Sequence, residues 1–365
     1  MSNKIFASRA IVTHEPRNGQ HRFEMQDLTL RPQLQPDELI VHIIASGVCH
    51  TDLVFAKEPA YSPTFPRILG HEGAGYVREA GDSVNVAKVG DAVLLSFSFC
   101  SKCRNCKTEH PAYCQQFNEL NYVGEVDIFQ SKKGPAPSGS FFGQSSFSNF
   151  TIVKQTSVVN VNTVIKNEYE LKLFAPLGCG FQTGMGTVDH FAGAGKADTV
   201  AAKIKGALTI IGVDQFESRL GLAKEFGATH VLNTSSTGFD LVAAIKSLTD
   251  GFGSSITVDT TGNVGLISKG MDFTGKRGQM ILLGVAPLTA ELPVNLITFM
   301  QSGKSFRGNI EGDVTPSKYI PKMIQWYHDG RFQIEKLVKF YKADNFEMAF
   351  EDMKSGSTIK PILLW

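Results

Sequence analysis

Short runs of apolar residues alternate with turn-forming residues over the first hundred positions. Runs such as 39–44 (LIVHII) and 92–95 (AVLL) are separated by proline, glycine and aspartate, which is the pattern of short strands joined by turns. Residues 5–97 are therefore predicted to be an all-β region. Residues 100–150 are rich in loop-forming residues, and 131–139 (SKKGPAPSG) are expected to form a surface loop.

The pattern changes after about residue 200. Residues 207–214 (ALTIIGVD) form an apolar run, which predicts a strand buried on both faces. Helical spacing follows over 217–226, with Gly227 as a candidate C-cap. Further strands are predicted at 230–232, 256–259 and 280–285, a helix at 239–248, and helical segments with a last strand (358–364) in the tail, 316–365. Because strands and helices alternate, an α/β domain with a doubly wound parallel sheet is predicted.

Length and charge restrict the classes of function. A chain of 365 residues suffices for two domains, and its net charge of +1 provides no field that would attract nucleic acid or an acidic membrane. No stretch approaches the roughly 20 apolar residues of a membrane span, and the first residues do not resemble a signal peptide. Cysteines kept as thiolates suit a reducing compartment, so a cytoplasmic protein is expected.

Four of the six cysteines form one C-x2-C-x2-C-x7-C cluster, which consists of Cys100, Cys103, Cys106 and Cys114. Four thiolates at this spacing can enclose a tetrahedral zinc with no open position, as in structural zinc sites. A disulfide framework is the alternative, but the close spacing and the chain length disfavour it. The neutral charge balance and the downstream α/β pattern disfavour a zinc ribbon that binds nucleic acid.

The other two cysteines, Cys49 and Cys179, stand apart in the sequence, and His71 lies between them in a GHEG segment. Two thiolates and one imidazole leave the fourth zinc position open for water or an alcohol oxygen, which is the arrangement of a catalytic zinc. Zinc in such a site lowers the pKa of a bound hydroxyl group. The alternatives are a buried cysteine and a core histidine that bind no metal.

Three neighbours of these ligands carry suitable chemistry. Thr51 is placed to take the proton of the alcohol, and Asp52 can accept a hydrogen bond from His71 and orient it. Glu72 is either an alternative ligand or a nearby charge that tunes the metal. One closed and one open zinc site on the same chain predict a metal-dependent enzyme.

A dinucleotide-binding fold requires a glycine turn and, about 20 residues later, an acid that holds the ribose. Asp214 ends a predicted strand and favours NAD over NADP, and Arg219 could contact the ribose. The glycine turn is incomplete: Gly193 and Gly195 are present, but Ala192 stands at the middle position and no buried strand precedes it. A helix-capping or turn aspartate and a plain surface loop are the alternatives for these two signals.

Together these motifs resemble the zinc-dependent medium-chain alcohol dehydrogenases. The resemblance rests on GVCHTD (47–52), GHEGAG (70–75), the cysteine cluster, LGCGFQTG (177–184) and GAT (227–229), and it covers nearly the whole chain. Residues 141–147 (FFGQSSF) look most like the aryl-alcohol, or benzyl alcohol, branch. The family fold implies a GroES-like zinc catalytic domain from residues 1–180 and 316–365, and a Rossmann-type domain from 181–315.

The resemblance also assigns roles to single residues. It implies that Cys49, His71 and Cys179 hold the catalytic zinc, and that two zinc ions and NAD are bound per subunit. The other implied roles are a proton relay (Thr51), contacts to the cofactor pyrophosphate (His50, Lys360), contacts to the nicotinamide (Thr183, Leu283, Val285), and walls of the substrate pocket or core packing (Phe141, Phe142).

The chain departs from the family pattern between residues 183 and 201, where it is clearly shorter. The missing part corresponds to a helix end and the first Rossmann strand, beside the glycine turn. Three explanations stay open: a splice or gene-model product, a functionally impaired enzyme, or a minimal strand and turn rebuilt by residues 186–197. A smaller departure is Val54, which stands where many members have a proton-transferring histidine.

The expected function is interconversion of a primary, aromatic or allylic, alcohol and its aldehyde with NAD. The main alternative is a zinc-binding variant that cannot hold NAD. A zinc-free quinone reductase is disfavoured by the presence of the three zinc ligands, whereas oxidation of a glutathione–formaldehyde adduct stays possible. The family also suggests homodimers or homotetramers that pair their Rossmann sheets, with 305–310 as the edge strand.

Overall fold

The computed structural model describes residues 5–58, 64–192 and 208–365. The chain divides into two compact units, Met1–Gln182 with Val314–Trp365 and Thr183–Asp313. Antiparallel sheets dominate the first unit, and the second alternates parallel strands with helices. This arrangement agrees with the predicted α/β class, a GroES-like unit and a Rossmann-type unit.

Strands of the described part are numbered in chain order. They are β1 (Ala7–Arg17), β2 (Gln20–Leu30), β3 (Glu38–Gly47), β4 (Arg67–Ile68), β5 (Gly73–Ala80), β6 (Ala92–Leu95), β7 (Phe129–Gln130), β8 (Phe150–Lys154), β9 (Val158–Asn160), β10 (Ile211–Asp214), β11 (His230–Asn233), β12 (Ser254–Asp259), β13 (Thr274–Leu282), β14 (Ser305–Gly308), β15 (Val338–Lys342) and β16 (Lys360–Leu364).

The α-helices of the described part are numbered in the same way. They are α1 (His50–Lys57), α2 (Arg104–Lys107), α3 (Glu168–Leu173), α4 (Gly180–Gly186), α5 (Glu217–Glu225), α6 (Leu241–Ser247), α7 (Val264–Phe273), α8 (Leu296–Ser302), α9 (Pro316–His328) and α10 (Phe346–Ser355).

Two sheets build the first unit. The larger has the order β15-β16-β3-β5-β6-β9, with β8 also paired to β3, and the smaller has the order β4-β1-β2-β7. Strand β3 is almost completely buried, because Leu39, Val41 and Ile43 point to one face and pack against valines and a leucine of the neighbouring strands. The core of this unit therefore lies against the larger sheet.

The prediction of an all-β region over 5–97 is wrong at α1. This helix begins after Cys49, whose backbone N–H donates to the Asp52 carboxylate at 2.9 Å, so the side chain three positions ahead caps the first turn. Leu53, Phe55 and Ala56 are buried by the helix, which explains why an apolar run in this region is helical.

The second unit contains two short parallel sheets. Strand β10 pairs with β11, and β13 pairs with both β12 and β14. The predicted helix at 217–226 is confirmed as α5, and Gly227 follows it with the positive φ of +107° that a C-terminal glycine supplies. The predicted strands at 230–232, 256–259 and 280–285 are found as β11, β12 and β13, although β13 ends at Leu282.

Two expectations for the second unit are wrong. The strand predicted at 207–214 begins only at Ile211, and it is half-buried rather than buried on both faces, because among the described residues it pairs with β11 alone. Residues Thr187–Phe191 continue α4 as a π-helical turn, so the described part of 186–197 forms no strand. Gly193 and Gly195 lie outside the described residues.

Candidate functional site

The four cysteines of the spacing motif converge in one lobe of the first unit. Their sulfur atoms lie within 4.8 Å of one another. The Sγ atom of Cys106 is 3.5 Å from that of Cys103 and 3.9 Å from that of Cys100. Tetrahedral zinc with Zn–S bonds of about 2.3 Å requires sulfurs about 3.8 Å apart, so the cluster fits a closed zinc site.

The backbone around this cluster stabilises thiolate charge. The N–H groups of Lys102 and Cys103 point at the Cys100 sulfur, and the N–H of Gln116 points at the Cys114 sulfur. Hydrogen bonds from the backbone of Gln115 and Cys106 lower the pKa of Cys103 to about 6. Donors aimed at sulfur favour the deprotonated form that binds metal, although burial outweighs them at Cys114 and raises its pKa.

A second convergence brings together Cys49, His71, Glu72 and Cys179, whose ligand atoms also lie within 4.8 Å of one another. Cys49, the adjacent His71 and Glu72, and Cys179 are far apart in the sequence, so only the fold brings these three segments together. Cys49 precedes α1, His71 and Glu72 connect β4 to β5, and Cys179 precedes α4.

The backbone turns at Gly70, immediately before His71. Its φ is +86°, and a Cβ atom at this position would lie 2.4 Å from the backbone nitrogen of Phe147. Only glycine satisfies both requirements. The GHEG sequence thus turns sharply and directs the imidazole to the cluster.

Asp52 holds His71 in place. Its Oδ1 atom accepts hydrogen bonds from His71 Nδ1 at 2.8 Å and from the Gly70 N–H at 3.1 Å. Burial acts to lower the pKa of His71, but the charge and hydrogen bond of Asp52 outweigh it, and the pKa is raised well above its usual value. Nε2, the other ring nitrogen, is buried and has no hydrogen-bond partner in the described part of the chain. A buried, unpartnered imidazole nitrogen beside two cysteines is suited to a metal ligand.

Glu72 is paired with a lysine from the far end of the chain. Both of its oxygens accept from Lys360 Nζ, at 2.9 and 3.1 Å, and Oε1 also accepts from the Gly180 N–H. Burial acts to lower the pKa of Lys360, but the charge of Glu72 outweighs it and raises the pKa. Since Lys360 also donates to the Val48 carbonyl, its three protons are directed at protein oxygens.

Aromatic rings form the wall next to His71. The ring of Phe142 stacks on the imidazole with centroids 4.5 Å apart, and Phe141 meets it edge-on at 5.5 Å. Both phenylalanines are buried. Phe55 and Tyr122 extend this wall through contacts with the two rings. The sequence reasoning missed these last two, because an aromatic residue in a helix or loop carries no motif.

Arg67 was also missed, although it is the largest fully buried side chain of the described residues. Its guanidinium lies 5.0 Å from the Phe141 ring centroid and donates to the Tyr122 carbonyl at 3.0 Å. Burial lowers its pKa to about 10, so it is charged at neutral pH. One arginine between two apolar residues gives no sequence signal for this position.

Thr51 and His50 lie at the start of α1. The hydroxyl of Thr51 is 3.6 Å from the Cys49 sulfur, whereas His50 is exposed. Val54, in the next turn, is half-buried. The structure therefore places the hydroxyl, and not the imidazole of His50, beside the ligand set.

The cofactor candidates of the second unit are described separately. Asp214 ends β10, but its Oδ1 accepts from the N–H groups of Gln215 and Phe216, and Oδ2 is 3.7 Å from Arg219. The turn alternative is thus present in the structure, because these bonds lie in the turn before α5, whose N-cap is Phe216, and the second carboxylate oxygen is paired with the arginine.

Three further cofactor candidates lie at loops and helix ends of the same unit. The N–H of Leu283 donates to the Asp259 carbonyl at 2.8 Å, Val285 is exposed, and the Thr183 hydroxyl is 3.5 Å from Glu311.

Within the described residues, no helix is both long enough and apolar enough to span a membrane. Comparison with known proteins gives the family. The profile of the alcohol dehydrogenase GroES-like domain matches residues 35–163, and that of the zinc-binding dehydrogenases matches residues 193–329.

Geraniol dehydrogenase of Castellaniella defragrans is 34% identical over 90% of this chain and 91% of its own length. Benzyl alcohol dehydrogenase from Acinetobacter calcoaceticus superposes with a TM-score of 0.88 at 36% identity, over 98% of this chain and 99% of that one. An alcohol dehydrogenase zinc-binding domain protein from Burkholderia ambifaria has a TM-score of 0.91 at 34% identity, over 99% of both chains. With both metal sites in place, the chain belongs to the zinc-dependent medium-chain alcohol dehydrogenase family.

Proposed function

We propose that the chain interconverts a primary alcohol, aromatic or allylic, and its aldehyde with NAD as the hydride carrier. The observation that supports this most is the three-residue ligand set of Cys49, His71 and Cys179 beneath an aromatic wall. Relatives named for geraniol and benzyl alcohol, an allylic and an aromatic alcohol, support the same substrate class.

The residues of the open site fit zinc, which when bound supplies a Lewis acid that lowers the pKa of an alcohol hydroxyl. Hydrogen bonding from Cys179, together with the charge of Lys360, lowers the pKa of Cys49 well below its usual value despite burial. Asp52 fixes the imidazole of His71 so that Nε2 points at the sulfurs. The protein thus supplies two thiolates and one oriented nitrogen and leaves one position for substrate.

Thr51 is the residue proposed to take the substrate proton. Its hydroxyl can accept one proton and donate another, and it lies 3.6 Å from the Cys49 sulfur. Because Val54 has no titratable group, the proton is proposed to leave Thr51 through the cofactor ribose or through His50, at the exposed start of α1. We expect a rate that rises towards alkaline pH and flattens in a Val54→His variant.

Phe141 and Phe142 are proposed to select flat, apolar substrates. Their rings stand at 77° to each other and enclose a corner next to the imidazole. An aromatic ring or a conjugated double bond in this corner gains edge and face contacts that a short aliphatic chain does not.

Asp214, Arg219 and the backbone of Leu283 and Val285 are proposed to hold the ribose and the amide of NAD. A carboxylate at the end of β10 repels a 2′-phosphate, which favours NAD over NADP. His50, Thr183 and Lys360 stay proposed cofactor contacts. Homodimers or homotetramers are proposed to form through β14, an edge strand of its sheet.

A second candidate function is favoured by one observation: the described strands of the second unit form two separate sheets, β10-β11 and β12-β13-β14. The resemblance also implies that the part missing from this chain is the first Rossmann strand, which lies beside the glycine turn in this family. The alternative is therefore a zinc-binding protein with both metals and no NAD site.

Zinc analysis combined with NADH titration separates the two functions. Two zincs per chain and saturable NADH fluorescence at micromolar concentrations, followed by reduction of NAD with benzyl or cinnamyl alcohol, are expected for the enzyme. An Asp214→Ala variant should weaken NADH binding, while Asp37→Ala, at an exposed aspartate of the first unit, serves as the matched control. Full zinc content without NADH binding would instead select the zinc-binding protein.

A further inference from the structure

Arg67 carries a positive charge in the interior of the first unit. Its side chain is fully buried, and its Nε and Nη1 atoms have no hydrogen-bond partner among the described residues. Burial lowers its pKa to about 10 although the charge of Asp52 acts in the opposite direction, so the guanidinium is charged at neutral pH. Burying a charge with unpaired N–H groups costs stability. A side chain of this kind is therefore expected to serve a function.

The contacts of this guanidinium join two segments of the aromatic wall. The wall consists of four rings, those of Phe55, Tyr122, Phe141 and Phe142. Nη2 of Arg67 donates to the Tyr122 carbonyl at 3.0 Å, and Cζ lies over the Phe141 ring, 5.0 Å from its centroid. A cation within about 6 Å of an aromatic face is attracted to it. One side chain of β4 thus holds both the turn Glu119–Val123 and the turn Phe141–Gly143.

The backbone of the second turn is in a conformation that requires support from its surroundings. Ser140, Phe142 and Ser145 have φ values of +63°, +52° and +58°. Residues with a side chain rarely adopt this left-handed region, and a bulky residue there is strained. Such strain persists where neighbouring groups fix the chain, and it is concentrated at sites that bind ligands. The contact from Arg67 to the Phe141 ring is one of the interactions that fix this turn.

The rings that Arg67 holds lie directly against a metal ligand of the open site. Phe141 meets the imidazole of His71 edge-on, with centroids 5.5 Å apart, and Phe142 stacks on it at 4.5 Å. The ring of Tyr122 contacts that of Phe142 at 5.6 Å. The positions of the rings beside the imidazole therefore depend on a guanidinium that is itself buried.

We propose that Arg67 is a positioning residue that fixes the aromatic wall in advance and thereby determines the preference of the open site for planar ligands. It acts through the rings and does not contact the substrate. A wall that is already ordered loses little conformational entropy when an aromatic ligand packs against it. A short aliphatic chain covers less of the wall and gains less from its order. The inference rests on the proposed alcohol and aldehyde site, and binding without turnover allows the two to be tested separately.

Aldehyde binding to the zinc-loaded full-length protein tests the role of Arg67. The probe is para-dimethylaminocinnamaldehyde, an aromatic aldehyde whose absorption shifts to longer wavelength when a Lewis acid polarises its carbonyl. Benzaldehyde and butanal compete with the probe, which gives a Kd for each. Arg67→Met keeps an unbranched apolar side chain but removes the charge and the donors. In this variant the Kd of benzaldehyde should rise about tenfold and that of butanal by less than about twofold.

Two other variants separate position from stability. Arg31→Met removes an arginine of the same unit that pairs with the buried Glu38, so it should lower Tm and leave both Kd values within about twofold of the unmodified protein. Arg67→Lys keeps a positive charge but not the planar group of donors, and the Kd of benzaldehyde should rise about threefold. Circular dichroism and full zinc content establish folding, and Arg67→Lys provides the test should Arg67→Met not fold.

Four results would overturn the proposal. Equal proportional losses of benzaldehyde and butanal affinity in the Arg67 variants would show a general structural role. Unchanged affinities would show that the wall does not depend on the guanidinium. A selective loss of benzaldehyde affinity in Arg31→Met would mean that lower stability alone changes the preference. Absence of the absorption shift with the unmodified protein would remove the site on which the inference rests. A shift without any oxidation of NADH would instead count against the proposed dehydrogenase function alone.

Discussion

Replacing Asp52 by asparagine tests whether a buried carboxylate holds the open metal site together. Asp52 is only 1% exposed and accepts three hydrogen bonds: from His71 Nδ1 and the Gly70 N–H at Oδ1, and from the Cys49 N–H at Oδ2. Asparagine has almost the same shape but only one acceptor oxygen. Its NH₂ group must therefore face either the imidazole or the Cys49 N–H, donor against donor.

The size of the effect follows from these contacts. A hydrogen bond to a charged group contributes about 1.5–3 kcal/mol, and one such bond is lost together with the negative charge next to the imidazole. Removal of a group that orients a metal ligand typically costs about 10–100-fold in metal affinity or activity. We expect zinc at the open site of Asp52→Asn to bind about 10–100-fold more weakly, or about 1.4–2.8 kcal/mol.

The four-cysteine cluster provides an internal reference, because the three hydrogen bonds of Asp52 come from Cys49, Gly70 and His71, which lie outside the cluster. Zinc release to a chromogenic chelator should show one zinc per chain leaving faster than in the unmodified protein, while the other leaves at an unchanged rate. Asp37→Asn, at an exposed aspartate, is the matched control and should release both zincs normally. Release of both zincs from Asp52→Asn at unmodified rates, with kcat unchanged, would refute the reasoning.

Three further predictions concern separate parts of the molecule. Cys103→Ser should reduce the zinc content from two ions to one per chain by mass spectrometry, and a content of two would contradict a four-thiolate site. Burial acts to raise the pKa of Glu38, but hydrogen bonds from Arg31 and Lys154 outweigh it and lower the pKa below the reference value of 4.5. The stabilisation by the ionised Glu38 carboxylate is therefore present above that value and is lost as the pH falls through the folded pKa. Glu38→Gln should lower the free energy of unfolding in urea by about 1–3 kcal/mol at pH 7 and by much less at pH 3.5. A loss of stability that does not depend on pH would count against this prediction. Phe142→Leu should lower kcat/KM about tenfold for benzyl alcohol and less for butanol, since it removes the ring stacked on the imidazole; equal losses for both alcohols would show that the ring does not select the substrate.

The metal sites could be predicted from the sequence because each motif also encodes its local backbone. The spacing of the four cysteines limits them to one small lobe, and in CHTD the same aspartate caps α1 and orients the histidine ligand. Gly70 is required by a positive φ and a close backbone contact. Such short-range requirements are visible in a single chain.

Lys360 and Arg67 could not be predicted in the same way. The ammonium of Lys360 is directed at Glu72, 288 positions away in the chain, through the pairing of β16 with β3. Arg67 is buried because β4 pairs with β1 and an aromatic ring covers its guanidinium. Both contacts depend on which strands meet, and a sequence pattern of period two does not carry that information.

The error at 207–214 has a different cause. An apolar run predicts burial on both faces only when strands lie on both sides, and β10 has a partner on one side alone within the described residues. The run is that of a central strand, but Val213 is 40% exposed and Leu208 is 80% exposed. The sequence of this run is thus typical of a strand with a partner on each side, whereas the described strands provide a partner on one side only.

The difference between the predicted and the observed environment of β10 concerns the proposed binding of NAD and not the two candidate zinc sites. Both candidate zinc sites take all their ligands from the first unit, so their formation requires only the sheets and loops of that unit. The proposed ribose contact, Asp214, lies in the second unit at the end of β10, and among the described residues this strand pairs with β11 alone. A substitution confined to the second unit, such as Asp214→Ala, is therefore expected to weaken NAD binding and to leave the zinc content unchanged, because both ligand sets lie in the first unit.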